Sequence, residues 1–209
     1  MSDTFKITYF KGNGRAALMK AILTYAKATW ENVYVDFEKW PELKASGYCE
    51  FGQLPILEHN GKTYSQSSAC TMYLAKLFNI YGKNIDEEYQ INSLICAIED
   101  FVPVLYPVLM PRTEEQKNNP EKFKQALKDK LQQYFKVFEA RYAKYGNGKY
   151  FFGDHFSWAD IFVGVQIPCY LVAFKDEDIV TPVAPNLKKL MDYLKENELK
   201  EYFEKYFIA

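Results

Sequence analysis

The run Gly52-Gln53-Leu54-Pro55-Ile56-Leu57 constrains the fold more than any other stretch of this chain. Proline has no amide N–H, so an apolar strand opening at Pro55 must begin there or run along an edge. Asn60-Gly61 follows, flanked by the strand-like segments 56–58 and 62–64, and reads as a two-residue hairpin turn. Ser65-Gln66-Ser67-Ser68-Ala69 then leads into an apolar helix predicted over 67–78. A cis Leu54–Pro55 bond turns the N–H and C=O of Leu54 outward, where they can pair with another backbone. Gln66 and Ser67 open the helix, where unpaired N–H groups and the positive dipole end attract a carboxylate. These parts together read as a site for a small peptide with a free carboxylate.

Upstream, Phe5, Ile7 and Tyr9 alternate with Lys6 and Thr8 and predict a strand. The segment 16–25 predicts a helix with Leu18, Ala21, Ile22 and Tyr25 on one stripe, and Val33 and Val35 mark a second strand. The order is β-α-β followed by β-β-α. Beyond Tyr81-Gly82 every apolar pattern has the helical period. Ile91, Leu94, Ile95, Ile98, Val102 and Leu105 form one stripe, and Leu127, Leu131, Tyr134 and Phe138 a second. Trp158, Ile161, Phe162 and Val165 form a third, and Leu187, Leu190, Met191 and Leu194 a fourth. Asn118-Asn119-Pro120 ends one helix and starts another. Ser157-Trp158-Ala159-Asp160 is a capping box whose role is folding. The expected organisation is an α/β domain at 1–79 and an all-helical domain at 86–209.

Lys plus Arg number 26 and Asp plus Glu 27, a balance that creates no field for nucleic acid or an anionic membrane. The chain starts Met-Ser-Asp with no apolar leader, and no stretch reads as a membrane span, so a cytoplasmic protein is expected. Cys49, Cys70, Cys96 and Cys169 are widely spaced and fit reduced, buried thiols better than a disulfide frame or zinc site. Cys49 and Cys70 read as structural, and Cys49, in the loop before Pro55, as the candidate for exposure. His59 and His155 have no partner at metal spacing and read as surface or turn residues; no metal site is expected.

Several of these segments, in the same order, resemble the cytosolic glutathione transferases over essentially the whole chain. That resemblance implies a thioredoxin-like N-terminal domain with a cis-proline, followed by an all-helical C-terminal domain carrying the electrophile site. Thr8-Tyr9-Phe10 with Gly14-Arg15 resembles the segment bearing the catalytic tyrosine of the tyrosine-type classes. Trp40 and Lys44 resemble the pair that binds the glycine carboxylate of glutathione. Gln53-Leu54-Pro55 resembles the segment gripping the cysteinyl backbone, and Gln66-Ser67 the pair holding the γ-glutamyl carboxylate. Asp100 matches an acidic residue that reaches the γ-glutamyl amine in a partner subunit. Trp40-Pro41 and Phe51-Gly52 look like the sigma class, which includes glutathione-dependent prostaglandin isomerases. Gln53-Leu54-Pro55 and Tyr81-Gly82-Lys83 look equally like the pi class. The metal-binding acidic cluster of some sigma members is broken at Cys96.

The resemblance therefore implies an enzyme that uses glutathione as co-substrate against small hydrophobic electrophiles, as a homodimer. Tyr9 would donate to the thiolate and Arg15 would add positive charge nearby. The alternatives are a prostaglandin D isomerase and a non-catalytic crystallin or ligand carrier of the same fold. Taken singly, each residue also has an ordinary reading: Tyr9 at a core rim, Arg15 at a helix start, Trp40 in a core, Lys44 in solvent. Phe51 is the candidate anchor into a second subunit. Tyr106 and Met110 are candidates for the electrophile pocket, beside a helix that Pro103 and Pro107 are expected to kink.

Overall fold

The computed structural model describes residues 3–208, apart from the side chain of Ile98, which lies outside the described set. The first half holds β1 (Thr4–Tyr9), a 3-10 turn at Gly14–Ala16, α1 (Ala17–Tyr25), β2 (Thr29–Tyr34), α2 (Trp40–Ala45), β3 (Ile56–His59), β4 (Lys62–Tyr64) and α3 (Ser67–Leu77). The strands form one sheet in the order β2-β1-β3-β4. β1 and β2 are parallel, Thr4 facing Thr29, and the crossover that a parallel pair requires is α1. β1 and β3 are antiparallel, Phe5 facing His59, and β3 turns at Asn60-Gly61 into antiparallel β4. Asn60 and Gly61 both take positive φ, as a tight hairpin turn of this kind requires. The Leu54–Pro55 bond is cis and opens β3 as expected.

The alternation in β1 buries Phe5 and Ile7, and α1 packs on α3 with Leu18, Ile22 and Leu74 buried. β2 starts four residues before its first valine because an edge strand needs no continuous apolar face. None of its residues is fully buried, and Val33 is exposed. His59 differs from expectation. It is buried, stacks on Phe5 at 4.3 Å, and has Nδ1 2.6 Å from the Tyr73 hydroxyl. Cys49 is also buried, whereas Cys96 is exposed.

The remaining helices are α4 (Ile85–Cys96), α5 (Ile98–Leu109), α6 (Glu114–Asn118), α7 (Pro120–Tyr145), α8 (Trp158–Ile161), α9 (Ile167–Leu171), α10 (Pro185–Glu196) and α11 (Lys200–Lys205). A π-helical turn at Phe162–Gln166 joins α8 to α9. Of the first apolar stripe, Ile91, Leu94, Ile95 and Leu105 are buried; Val102 is half-buried. α5 contains Pro103 and Pro107 inside its span, and the boundary between α4 and α5 falls at Ala97. The whole run Ile85–Leu109 is long and apolar enough, by length and composition only, to cross a membrane. That exceeds the sequence expectation, although a core helix of a globular domain passes the same test.

The Ser157 box forms as read. Asp160 is completely buried and accepts from the N–H groups of Phe151 (2.7 Å) and Ser157 (2.8 Å) and from the Ser157 hydroxyl (3.0 Å). It thus holds α8 and the preceding loop as one piece.

The chain divides into two compact units: the part up to Tyr81 joined by the segment from Lys195 onward, and Gly82–Leu194. The segment from Lys195 onward thus packs with the first unit. α11 packs on α1, Glu201 pairs with Lys27, and Tyr206 lies 4.7 Å from Trp30 between ring centroids. The pattern of a short helix identifies its apolar face but not the element that face will meet.

Candidate functional site

Tyr9 ends β1, and a strand end in an open α/β sheet leaves its side chain beside loops rather than under a helix. The chain then leaves the sheet through Gly12 and Gly14, both at positive φ, and folds back as the 3-10 turn. This return places the Arg15 backbone N–H 3.2 Å from the Tyr9 hydroxyl oxygen, to which it donates. The turn works only because residue 14 is glycine. A Cβ there would lie 2.5 Å from Tyr9 Oη, and φ is +42°. The sequence pattern named Gly14 and Arg15; it gave no sign that Gly14 is what lets the loop touch the hydroxyl.

The Tyr9 ring packs against a small cluster of Cys49, Leu54 and Ile56, together with Phe10, Val35, Trp40, Leu43 and Tyr48. So Tyr9, Trp40 and Leu54 share one cluster. Phe10 extends it: its ring stacks on Phe37 at 4.6 Å and meets Trp40 edge-on at 5.7 Å. Trp40 opens α2 with Pro41 at its first turn, where a missing N–H costs no hydrogen bond. One turn on, Lys44 is exposed, and its stem lies over Gly52, where an added Cβ would meet Lys44 Cε at 3.0 Å. Gly52 donates to the Cys49 carbonyl at 2.7 Å and takes φ +59°, closing the turn that delivers Gln53 and Leu54 to the cis bond.

Gln66 and Ser67 stand at the start of α3 as expected. Gln66 has φ +68° and ψ +107°, a sparsely populated conformation for a residue with a Cβ. Such backbone persists where the surroundings fix it, and it clusters at ligand-binding positions. Its side chain does not cap the helix. Asp100 belongs to the second unit, near the start of α5, where Tyr134 donates a short hydrogen bond to it. That bond holds the Tyr134 phenol above its ordinary pKa. Tyr106 and Met110 are exposed.

A charged chain under the site is absent from any sequence motif. Tyr48 Oη donates to Glu58 Oε1 at 2.5 Å and lies 3.0 Å from Thr8 Oγ1, and Lys6 pairs with the same Glu58 oxygen at 2.6 Å. Burial and the Glu58 bond push the Tyr48 phenol up to about 12. Burial would raise Glu58, but the bonds from Lys6 and Tyr48 outweigh it and hold the carboxyl below its usual range. These bonds tie the loop after α2 to β1 and β3. Burial likewise raises the Cys49 thiol, and the Cys70 thiol up to about 11, so neither is a nucleophile at neutral pH. Among the described residues no group of three or more His, Cys, Asp or Glu is placed to hold a metal ion.

A pre-set phenol at a strand end and a cis-proline turn stand in one cluster, and a lysine over a glycine turn flanks it through α2. The exposed start of α3 lies in the same unit. The sequence profile described as glutathione S-transferase, N-terminal domain, matches residues 5–76, and that of the C-terminal domain matches residues 99–206. A "Probable glutathione S-transferase 5" of Caenorhabditis elegans is 32% identical over 158 residues, covering 76% of each chain. The "Hematopoietic prostaglandin D synthase" of Rattus norvegicus is 28% identical over 173 residues, covering 82% of each. Among solved structures, a glutathione S-transferase of the hookworm Necator americanus, described as monomeric, superposes with a TM-score of 0.85 at 26% identity, over 99% of this chain and 98% of that one. The chain therefore belongs to the glutathione S-transferase family, whose members use glutathione as co-substrate.

Proposed function

We propose that this protein is a tyrosine-type, sigma-like glutathione transferase in which Tyr9 activates the glutathione thiol for attack on small hydrophobic electrophiles. The observation that carries this reading is the Tyr9 hydroxyl held by the Arg15 N–H at a strand end. A free thiol has a pKa near 8.5, so little of it is ionised at neutral pH. Lowering that value by two units takes about 2.7 kcal/mol of preferential stabilisation of the anion. A hydroxyl bond to an anion supplies roughly 1.5–3 kcal/mol. An oxygen that accepts an N–H bond is polarised and becomes a stronger donor, which moves Tyr9 toward the upper end of that range. The thiol proton leaves to solvent, the sulfur lone pair forms the new S–C bond, and the electrophile's leaving group or π electrons take up the charge.

In this reading Trp40 and Lys44 hold the glycine carboxylate, and Gln53 and Leu54, beside Pro55, pair with the cysteinyl backbone. Gln66 and Ser67 hold the γ-glutamyl carboxylate at the α3 N-terminus. Arg15 supplies a fixed positive charge beside the thiolate. Asp100 reaches the γ-glutamyl amine of a partner subunit, which makes the protein a homodimer, and exposed Phe51 is the anchor across that interface. Light scattering tests this last part: a monomer with full activity at nanomolar concentration refutes it. The protein acts in the cytoplasm, with no membrane and no nucleic acid partner.

Retention on immobilised glutathione, followed by turnover of a chromogenic electrophile, tests the transferase reading. No turnover by a protein that binds glutathione would favour a ligand-carrier role instead. The prostaglandin D synthase relative motivates a second reading, isomerisation of a prostaglandin endoperoxide with glutathione regenerated. A substrate panel that includes such an endoperoxide separates the two.

A further inference from the structure

The loop between Tyr9 and Arg15 contains two glycines at positive φ, and glycine loses more conformational freedom on ordering than any other residue. Left alone, such a loop would not keep the Arg15 N–H at a fixed distance from a phenol. Among the described residues, two side chains, one from outside the loop and one from within it, hold it in place. Lys20, buried in α1, donates from Nζ to the Gly12 carbonyl at 2.9 Å. Asn13 is 8% exposed although its neighbour Gly14 is exposed. Its side-chain amide pairs with the backbone of a residue 195 positions away: Nδ2 donates to the Ile208 carbonyl at 2.5 Å, and Oδ1 accepts the Ile208 N–H at 3.1 Å. Both faces of the amide are used, as in one rung of a β-ladder. The Ile208 side chain is 44% exposed, so its own burial does not place the segment there. The segment reaches Asn13 through Tyr202, which is buried, and Tyr206 on Trp30.

We propose that Asn13 and the Ile208 backbone form a positioning pair that fixes the 10–15 loop against the Tyr9 hydroxyl, so that the segment after α11 tunes the reactivity of bound glutathione. The inference rests on the Tyr9 reading above. Neither residue is catalytic, since both act through the Arg15 N–H. The alternative is that the pair only fastens the segment to the first unit, with no consequence for the thiol.

The test compares Asn13→Ala, Ile208→Pro (which deletes the paired N–H), the double variant and Tyr9→Phe. The readout is ultraviolet titration of the bound glutathione thiolate. Each single clamp variant is expected to raise the thiol pKa by about half a unit, a roughly threefold loss of thiolate below the pKa, with the glutathione KM within about twofold. The double variant should shift it no further than the larger single, because both remove the same pair. Asn13→Asp keeps the shape and the acceptor but loses the donor, and serves if the alanine variant does not fold. A thiol pKa unmoved in a folded Asn13 variant overturns the proposal, as do additive shifts in the double variant. A thiol moved by Asn13→Ala but not by Tyr9→Phe overturns the Tyr9 reading, and with it the pair's action through the Tyr9 hydroxyl.

Discussion

Gly14 stands so close to Tyr9 that a single added carbon would lie 2.5 Å from the Tyr9 hydroxyl oxygen. The φ of +42° at the same position disfavours any residue with a Cβ. Gly14→Ala should therefore cost about 1 kcal/mol or more in stability and displace either the loop or the phenol. Activity should fall further than stability explains, with the thiol pKa of bound glutathione raised. Thermal unfolding and thiolate titration on the same sample check both parts.

Lys44 and Gln66 lie at the ends of the proposed peptide site, away from the sulfur. Their contribution is expected to be nearly uniform between ground and transition states. Lys44→Ala and Gln66→Ala should each raise the glutathione KM several-fold, on the order of 1 kcal/mol, and leave kcat nearly unchanged. Steady-state kinetics at varied glutathione decides this. A main loss in kcat at saturating glutathione would show that they do not act as anchors.

Glu58 provides a pH signature. Its carboxyl is held below the ordinary range by Lys6 and Tyr48 against the effect of burial. A depressed folded pKa contributes stability that is full above the unfolded value, near 4.3, and is lost as pH falls through the folded one. The stability gap between the natural protein and Glu58→Gln should be constant above about pH 5 and shrink progressively below it. Denaturant unfolding from pH 3 to 7 measures this; parallel curves would contradict it.

Of the four cysteines, only Cys96 is exposed. Brief alkylation at pH 7.5, read by peptide mass spectrometry, should modify Cys96 and spare Cys49 and Cys70, whose thiols burial pushes upward. Rapid labelling of Cys49 would mean that the loop before Pro55 opens readily in solution.

Asp160 accepts three hydrogen bonds while completely buried. Asp160→Ala strands those donors and should destabilise the protein by roughly 3 kcal/mol or more, since each stranded donor costs about 1–3 kcal/mol. Glutathione affinity of the fraction that folds should be unaffected. Equilibrium unfolding and binding calorimetry check the two halves.

What was legible in the sequence was local. Pro55, Asn60-Gly61, Pro120 and the Ser157 box each fix backbone within a few residues, and all four appear where the sequence put them. The hairpin register, Leu57 facing Tyr64, follows from the two-residue turn at Asn60-Gly61. What was not legible depends on partners far along the chain. The edge strand β2 carries little apolar signal, because an edge has one neighbour and needs little. Burial of Cys49 and His59 was set by the loop and rings that close over them, not by their neighbours in sequence. The boundary between α4 and α5 at Ala97 carries no proline or glycine signal in the sequence. The pairing of Asn13 with Ile208, and of α11 with α1, has no periodicity to betray it. The family pattern was readable from the segments around Tyr9, Trp40, Pro55 and Gln66; why residue 14 is glycine became visible only in three dimensions.

The central claim is that Tyr9 stabilises the glutathione thiolate. The most direct measurement is the ultraviolet titration of thiolate bound to the natural protein and to Tyr9→Phe. The account predicts a pKa one to two units higher in the variant, of order 1.4–2.7 kcal/mol, with glutathione affinity at low pH retained. A thiol pKa that is the same in both proteins would contradict it.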